Sequence, residues 1–324
     1  MGSTSSRKKT DLIKKIIAAT KAVSKRKPSA RQEKFIRQFF ANSPLHDLDE
    51  RKLDTLAGVA SSAWNLAQKR KPGETKIRVS NPTKATDGWD SDRTLIEVVM
   101  EDMPFLVDSV TANLAQSGIT VLQVTHPILR SQRGKDGSLK EILSKEPSDV
   151  PISVEAVMSF EVTQLTPAAR LKDLLSQMKS VLNDVRAAVE DWQPVRTRVQ
   201  DIISEIKLQV TANNAGVLGE TQDFLQWAHD NNFTFLGYRE YDFTGNGTKL
   251  KAKVNPKSGL GILRDADRIV FKELRNMEIM PVEVRNFVRR RDPVVISKAD
   301  VRSTVHRSVL LDTIGVKKYD KSGK

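Results

Sequence analysis

The sequence contains no cysteine, few aromatic residues and no long apolar run. Zero Cys among 324 residues excludes disulfides, thiolate metal ligands and cysteine nucleophiles, and it is typical of a reducing compartment. No segment approaches the roughly 20 apolar residues that a membrane-spanning helix needs, and no secretory leader is visible. With 39% hydrophobic and 29% charged residues, the composition predicts a cytoplasmic globular protein of two or three domains.

Motifs of cofactor-binding and catalytic sites are also missing. No phosphate loop GxxxxGK[ST] occurs, and Gly259-Leu-Gly261 lacks the third Gly and the following helix of a dinucleotide fingerprint. No Ser lies in a GxSxG motif, and no HExxH motif is present. The four histidines are scattered along the chain: His46, His126, His229 and His306. We therefore predict that this chain by itself contains no catalytic residue, no cofactor site and no metal site.

Positive charge is concentrated at the start of the chain. Residues 1–37 contain twelve Lys and Arg against two acids, which is +10 of the net +13. We expect residues 1–10 to be disordered and residues 11–23 to form an amphipathic helix that packs on its own domain. A membrane-surface or partner-binding helix is the alternative. Because most of the charge belongs to an arm rather than to the folded body, we expect neither a nucleic-acid partner nor a membrane partner; a weaker alternative is that the first 37 residues bind anionic surfaces.

The following segment predicts a helical subdomain that ends near residue 73. Pro28 opens a helix that carries four apolar residues, among them Phe35 and Phe39. Ser43 and Pro44 cap and open another helix, which continues to about Arg70. Lys71-Pro-Gly73 then ends the helical pattern.

The most informative segment runs from residue 94 to residue 126. A β-rich run, 94–100, precedes the turn Glu101-Asp-Met-Pro-Phe-Leu-Val-Asp108, and a helical pattern then continues to Gly118. A second strand pattern follows from residue 119. We interpret Asp102, before Pro104, as the helix N-cap, and Asp108 as an exposed residue one turn later. Further strands are predicted at 76–80 and 152–162, with 138–150 irregular. Strand–turn–helix–strand units of this kind usually bind regulatory ligands or mediate protein assembly.

The second half predicts a long helix followed by another α/β module. An apolar stripe with a 3.6-residue period begins after Thr166-Pro167, kinks at Pro194 and continues to residue 210. Beyond it, residues 233–243 predict a strand that returns as a hairpin through Gly245-Asn-Gly247. Short strands are expected at 260–264, 268–272, 293–297, 305–310 and 314–319. The chain ends on a turn pattern with no returning strand, so we expect this last module to be truncated.

Residues 102–109, the helix to Gly118 and Ile119-Thr-Val together resemble the first half of an ACT domain. The resemblance implies an α+β fold in which 76–80, 94–100, 119–130 and 152–162 form a permuted four-stranded antiparallel sheet with helices on one face. ACT domains bind amino acids at this turn, which implies a regulatory role for Asp102, Pro104, Phe105 and Asp108. Phe105 stands where the family has a Gly that lets a ligand approach. This difference favours packing or assembly over an amino-acid effector.

A longer series of motifs resembles the N-terminal region of the large NAD-specific glutamate dehydrogenases of bacteria. It includes 76–82, 101–109, 185–192, 233–239, 260–264 and Ser303-Thr-Val-His-Arg307. The role of Ser303, Thr304, His306 and Arg307 in this family-like motif is unknown. The resemblance implies a basic tail and helical subdomain (1–73), an ACT-like domain (74–192), a helical connector (193–216) and a truncated PAS-like module (217–324).

The function implied by this resemblance is that of a regulatory and assembly segment. The parent enzyme would deaminate L-glutamate to 2-oxoglutarate with NAD, and this segment would bind no cofactor itself. Its expected partners are the downstream catalytic region and other copies of the chain, with Val199 and Ile203 at an interface. The alternative is a free-standing amino-acid sensor or interaction module, which a reading frame ending at residue 324 would favour.

Overall fold

The computed structural model describes residues 2–144, 151–208, 215–245, 250–268, 286 and 292–318. The helices are α1 (Gly2–Ser24), α2 (Ala30–Phe39), α3 (Leu45–Asp49), α4 (Leu53–Ala67), α5 (Lys84–Asp87), α6 (Leu106–Gln116), α7 (Ala168–Glu190), α8 (Trp192–Leu208) and α9 (Ala215–Trp227), which a π-helical turn (Ala228–Asn232) extends. The strands are β1 (Lys76–Ser80), β2 (Arg93–Glu101), β3 (Val121–Thr125), β4 (Ile128–Arg133), β5 (Leu139–Leu143), β6 (Ser153–Thr163), β7 (Gly237–Tyr238), β8 (Tyr241–Thr244), β9 (Lys251–Val254), β10 (Leu260–Gly261), β11 (Val294–Arg302) and β12 (Leu310–Val316).

This mixture of helices and antiparallel sheet confirms the predicted α+β class. The chain divides into two compact units, Met1–Leu182 (unit 1) and Asn183–Lys324 (unit 2). The finer segment boundaries expected from the sequence stay predictions.

Helix α1 begins at Gly2, so the prediction of disorder is wrong for residues 2–10. Its apolar side lies in the core, where Ile13, Ile16 and Ile17 are buried with Phe35 and Phe39. Once this turn is anchored, Arg7, Lys8 and Lys9 extend the helix toward the N-terminus at little cost, because Lys and Arg are good helix formers. The apolar side of α1 therefore packs on its own domain, as expected.

Two predicted helix boundaries in the helical subdomain need correction. Helix α2 begins at Ala30 rather than Pro28, because the Ser29 side chain accepts a hydrogen bond from the Gln32 amide at 3.2 Å. The single helix expected from Ser43 to Arg70 is two helices, α3 and α4. Arg51 lies in the break between them, where its guanidinium binds the Glu161 carboxylate at 2.5 Å. A tertiary ion pair thus accompanies a break that the apolar periodicity does not reveal.

The sheet of unit 1 has six strands rather than the four expected. Its order is β1-β2-β6-β4-β5, and β3 also pairs with β6. Strand β1 pairs with β2 from Lys76↔Val99 to Ser80↔Leu95, so the prediction that residues 76–80 join this sheet is confirmed. The strand expected over 119–130 is β3 and β4, which share the same side of β6. Strand β5 lies where 138–150 were predicted to be irregular; residues 145–150 lie outside the described part.

Apolar groups cover both faces of this sheet. Leu95, Val99 and Val157 share one core with α1, α2 and α4, so the expectation of helices on one face only is wrong. Side chains alternate between faces along a strand, which places Ile96, Val98 and Phe160 on the opposite side. Here α6 and the first part of α7 supply further buried apolar residues: Val110, Leu114, Leu174, Met178 and Val181.

Among the described residues of unit 2 there are three small two-stranded sheets, β7 with β10, β8 with β9, and β11 with β12. The expected β8–β9 hairpin is present, although residues 246–249 of its turn lie outside the described residues. The strand predicted over 233–243 is only β7 and β8. Residues 303–309 form a loop, so the strand predicted over 305–310 is wrong, and β12 begins at Leu310. Of the strand expected at 268–272, residues 269–272 lie outside the described part.

The long apolar stripe is divided between α7 and α8. The helices meet at Asp191, and Pro194 lies in the first turn of α8, where its missing amide hydrogen costs nothing. The predicted interruption of the helix near Pro194 is therefore confirmed.

Candidate functional site

The β2–α6 turn contains the residues that the sequence suggests for regulation. The Asp102 amide donates to the Val154 carbonyl at 3.0 Å. Helix α6 begins at Leu106, and the N-cap position is Phe105, with φ +72° and no side-chain capping bond. The prediction that Asp102 caps this helix is therefore wrong. Pro104 lies in the turn itself. Asp108 lies in the first turn of α6, where its negative charge interacts favourably with the positive end of the helix dipole.

Phe105 adopts the left-handed conformation that glycine adopts without penalty. A non-glycine residue at φ +72° is uncommon, since its Cβ crowds the following backbone. The backbone therefore keeps the conformation that suits the Gly of ACT domains, while the side chain differs.

His126 lies beside this turn, at the break between β3 and β4. Burial lowers the pKa of its imidazole, and the nearby Asp102 carboxylate partly offsets this effect. Within the described residues its buried Nε2 atom has no hydrogen-bond partner. Pro127 supplies a carbonyl to the Val157 amide at 3.1 Å, which holds the break against β6. A buried ring nitrogen without a hydrogen-bond partner therefore lies close to Asp102 of the turn.

An ion-pair network holds Glu101, the last residue of β2, at the start of the turn. Arg70 is 1% exposed, and its guanidinium donates to Glu155 at 2.6 and 2.9 Å and to Glu101 at 2.6 Å. Arg133 binds the same Glu155 at 2.6 and 2.7 Å. Burial would raise the pKa of Glu155, but the hydrogen bonds from Arg133 and Arg70 hold it below its usual value. Glu101, the last residue of β2, is thereby fixed immediately before Asp102.

Two more buried carboxylates join the sheet to the helical subdomain. Glu97 is 1% exposed; its Oε2 accepts from Arg78 at 2.7 Å and from Ser62 of α4 at 2.8 Å. Burial is the main cause that raises the pKa of Glu97, and it outweighs the charge of Arg78. Glu161 accepts from Arg51 at 2.5 and 2.7 Å.

Sequence reasoning missed these buried pairs. The available signal was the Glu residues within otherwise apolar strands: Glu97 and Glu101 in β2, and Glu155 and Glu161 in β6. Their even spacing places them on one face of each strand, and buried carboxylates require partners.

In unit 2, motifs that are far apart in the sequence come together at α7. Thr304 donates its hydroxyl to Asp184 at 2.6 Å, and Arg268 forms an ion pair with the same carboxylate. Asp191 accepts from the Gly261 amide at 2.6 Å and from the Arg264 guanidinium at 2.5 and 2.8 Å. The hydrogen bonds from Arg264 lower the pKa of Asp191, against the opposing effect of burial.

The other residues of the 303–307 motif shape the loop between β11 and β12. Ser303 is buried, accepts from the Val305 amide at 3.1 Å and donates to the Val305 carbonyl at 2.7 Å. His306 has φ +64°, and Arg307 is exposed. Ser303 and Thr304 therefore have structural contacts within unit 2, whereas no described contact gives a role to the Arg307 side chain.

Val199 and Ile203 lie in the core of unit 2. Each is 7% exposed, and both pack with Leu218 and Leu225 of α9. This packing accounts for the apolar character of Val199 and Ile203 within unit 2. Assembly through these two residues stays a prediction.

Buried carboxylates in both units are paired with arginines. Glu97, Glu155, Glu161 and Asp191 all face arginines at 2.5–2.9 Å. Within the described residues no group of three or more His, Asp or Glu side chains is placed to hold a metal ion. In the same part of the chain, no helix is long and apolar enough to cross a membrane.

Comparison with known proteins gives a consistent relationship. Residues 35–178 match the family model described as "Glutamate dehydrogenase, ACT1 domain". The chain is 32% identical to the NAD-specific glutamate dehydrogenase of Halomonas elongata over 97% of its own length and 19% of that protein. The corresponding enzyme of Pseudomonas aeruginosa is 32% identical over 90% of the chain and 18% of that protein. The enzyme of Mycobacterium tuberculosis is 27% identical over 52% and 10%.

The chain thus spans about a fifth of the length of the first two relatives. The ACT1 match covers the end of the helical subdomain, the six-stranded sheet, α6 and the first half of α7. These similarities confirm the resemblance that the motifs predicted: residues 35–178 match the ACT1 domain model of glutamate dehydrogenases, and most of the chain is similar to the large NAD-specific glutamate dehydrogenases.

Proposed function

We propose that this chain is a regulatory and assembly segment of an NAD-dependent glutamate dehydrogenase and is non-catalytic in isolation. The observation that carries the proposal is the ACT1 match over residues 35–178, within a chain that spans only 19% of a relative's length. In this proposal the parent enzyme converts L-glutamate and NAD to 2-oxoglutarate, ammonium and NADH in the cytoplasm. The downstream region of the same polypeptide supplies the NAD site, and the parent forms a homo-oligomer.

The contacts of the described residues support a structural role for this segment. Both faces of the sheet are packed, and the buried carboxylates Glu97, Glu155 and Glu161 form ion pairs with arginines. Such pairs make the position of each strand end specific, because breaking one leaves a buried charge. Arg70 joins the helical subdomain to Glu101 in this way and so connects it to the start of the β2–α6 turn.

Two measurements test this proposal. The 324-residue chain should give no glutamate-dependent reduction of NAD, whereas full-length parent enzyme should. In the full-length enzyme, Arg70→Met should alter oligomer mass or effector response while leaving the KM for NAD unchanged, and Lys69→Met, an exposed neighbour, should alter neither. Turnover by the isolated chain, or a changed KM for NAD with normal assembly, would contradict the proposal.

The second candidate function is amino-acid sensing at the β2–α6 turn. It is favoured by the unpartnered Nε2 of His126 beside Asp102. Calorimetric titration of the chain with single amino acids tests it, with His126→Ala as the matched variant. Binding that His126→Ala abolishes would establish the sensor function, and heats equal to dilution for every amino acid would exclude it.

A further inference from the structure

The proposed function gives no role to the basic side of α1. Among residues 5–24, Arg7, Lys8, Lys14, Lys15 and Lys21 are exposed. The exposed acid among them is Asp11, which pairs with Lys14 at 2.9 Å. The sequence predicts disorder for part of this arm. The structure instead orders these charges on one helix.

Helix geometry arranges these charges in two rows. Arg7, Lys14 and Lys21 follow one another at seven-residue intervals, which is about 10.5 Å along the axis at 1.5 Å per residue. Lys8 and Lys15 form a second row, about 100° around the helix from the first. The strip between the rows carries only Asp11 and the small residues Ala18 and Ala22.

The opposite side of α1 is fixed in the core. Ile16 and Thr20 are fully buried, and Ile13 and Ile17 are nearly so. The rows are therefore held on a rigid support. The buried side is also the one that an amphipathic helix would insert into a bilayer, and among the described side chains of residues 5–37 no large apolar residue is exposed. An attachment to lipid would have to depend on charge alone.

We propose that α1 binds duplex nucleic acid, with its two basic rows on the phosphates that border the major groove. The groove is about 12 Å wide and admits an α-helix of about 10–12 Å diameter. A helix in the groove meets one phosphate backbone on each flank, which matches two cationic rows separated by a strip of small residues. Phosphate contacts carry no sequence information, and the strip has few groups that can read bases. Binding is therefore independent of sequence.

The salt dependence of binding gives this proposal a numerical test. Five phosphate contacts give a slope of log K against log salt of about −4.5, so affinity falls about 500-fold between 50 and 200 mM salt. Arg7→Gln, Lys14→Gln and Lys21→Gln together remove one row. With two contacts left, the loss over the same salt range is about 12-fold. Asp11→Asn removes the acid between the rows and should strengthen binding at every salt concentration.

The experiment is a fluorescence anisotropy titration of a labelled 24-base-pair DNA of arbitrary sequence with the 324-residue chain. The matched control is Lys251→Gln, Lys253→Gln and Lys257→Gln, which removes the same charge from exposed positions of unit 2 and should bind like the wild type. Because all substituted side chains are exposed, we expect the variants to keep their helix content, and circular dichroism checks this.

Three outcomes overturn the inference. The first is absence of binding at 50 mM salt. The second is an equal loss of affinity in the row variant and the control, which would reveal an effect of net charge alone. The third is row-dependent binding to vesicles of anionic phospholipid that exceeds binding to DNA at equal phosphate concentration, which would assign the surface to a membrane.

Discussion

Replacing Arg70 with Met removes a charge that is 1% exposed while keeping an unbranched apolar side chain. The guanidinium makes six hydrogen bonds: to Glu155 (two), Glu101, Ser153 and the carbonyls of Lys71 and Glu74. All of them are lost in the variant.

The cost follows from the partners that remain. Removing one member of a buried ion pair costs about 3–5 kcal/mol, because the other charge is left without compensation. Glu155 keeps two hydrogen bonds from Arg133, and Glu101 is 30% exposed and can be solvated. We therefore expect the lower end of that range, about 3 kcal/mol of unfolding free energy. Arg70→Lys keeps the charge but not the planar fork, so its loss should be smaller.

Urea unfolding followed by tryptophan fluorescence measures this loss. Trp64 and Trp89 lie in unit 1, whereas Trp192 and Trp227 lie in unit 2 and are 39% and 51% exposed. A background with Trp192→Phe and Trp227→Phe therefore reports on unit 1.

The control is Lys69→Met, which removes one positive charge from an exposed neighbouring position. Surface changes of this kind usually stay within about 0.5 kcal/mol. A loss below about 1 kcal/mol for Arg70→Met, at an unchanged m value, would refute the view that this network holds the helical subdomain on the sheet.

Three further predictions concern single positions. The pKa of Glu97 is raised in the folded state, so its negative charge destabilises unit 1 above that folded pKa, and this cost disappears as the pH falls toward the pKa of the unfolded state. The stability that Glu97→Gln gains over the wild type should therefore be largest at neutral pH. Urea unfolding at several pH values should show this difference shrinking in acid. Phe105→Gly and Phe105→Ala both remove the ring, but only Gly adopts φ +72° without strain. In thermal unfolding the Gly variant should therefore be more stable than the Ala variant by about 1 kcal/mol. Equal stabilities would argue against strain at this position. Val199→Glu and Ile203→Glu bury a charge between α8 and α9, so each should lower the unfolding free energy of unit 2 by more than about 3 kcal/mol, as measured by Trp227 emission. Gln200→Glu changes an exposed position and should be near neutral. The oligomer mass of the folded variants tests the interface prediction separately.

That residues 76–80 join the sheet could be predicted from the sequence. An ACT-like order of elements lacked its last strand, because the sequence stays helical after residue 167, and the strand pattern at 76–80 could supply that strand from the N-terminal side. The start of α6 could not be predicted as well. Asp102 before Pro104 is a good capping pattern, but the Asp102 amide is held by Val154 of β6, and the helix begins four residues later. Local pattern gave the wrong cap because a long-range hydrogen bond extends the strand end.

The candidate site shows the same division. In the sequence, Phe105 could be identified as a departure from the ACT pattern and 303–307 as a family-like motif. The contact between Thr304 and Asp184 could not be identified, because it joins residues 120 positions apart. Arg51, Arg70 and Arg133 were indistinguishable from surface arginines, since nothing local to them indicates burial. Their carboxylate partners were detectable, because Glu within apolar strands needs compensation.

The sequence by itself determined the α+β class, the positions of most helices and central strands, and the family, because apolar periodicity and contiguous motifs are local properties of the chain. Only the tertiary structure decided which arginines are buried, that helices pack on both faces of the sheet, and that the N-terminal lysines form two ordered rows. These features depend on contacts between distant segments, and burial turns such contacts from weak surface pairs into interactions that fix one arrangement.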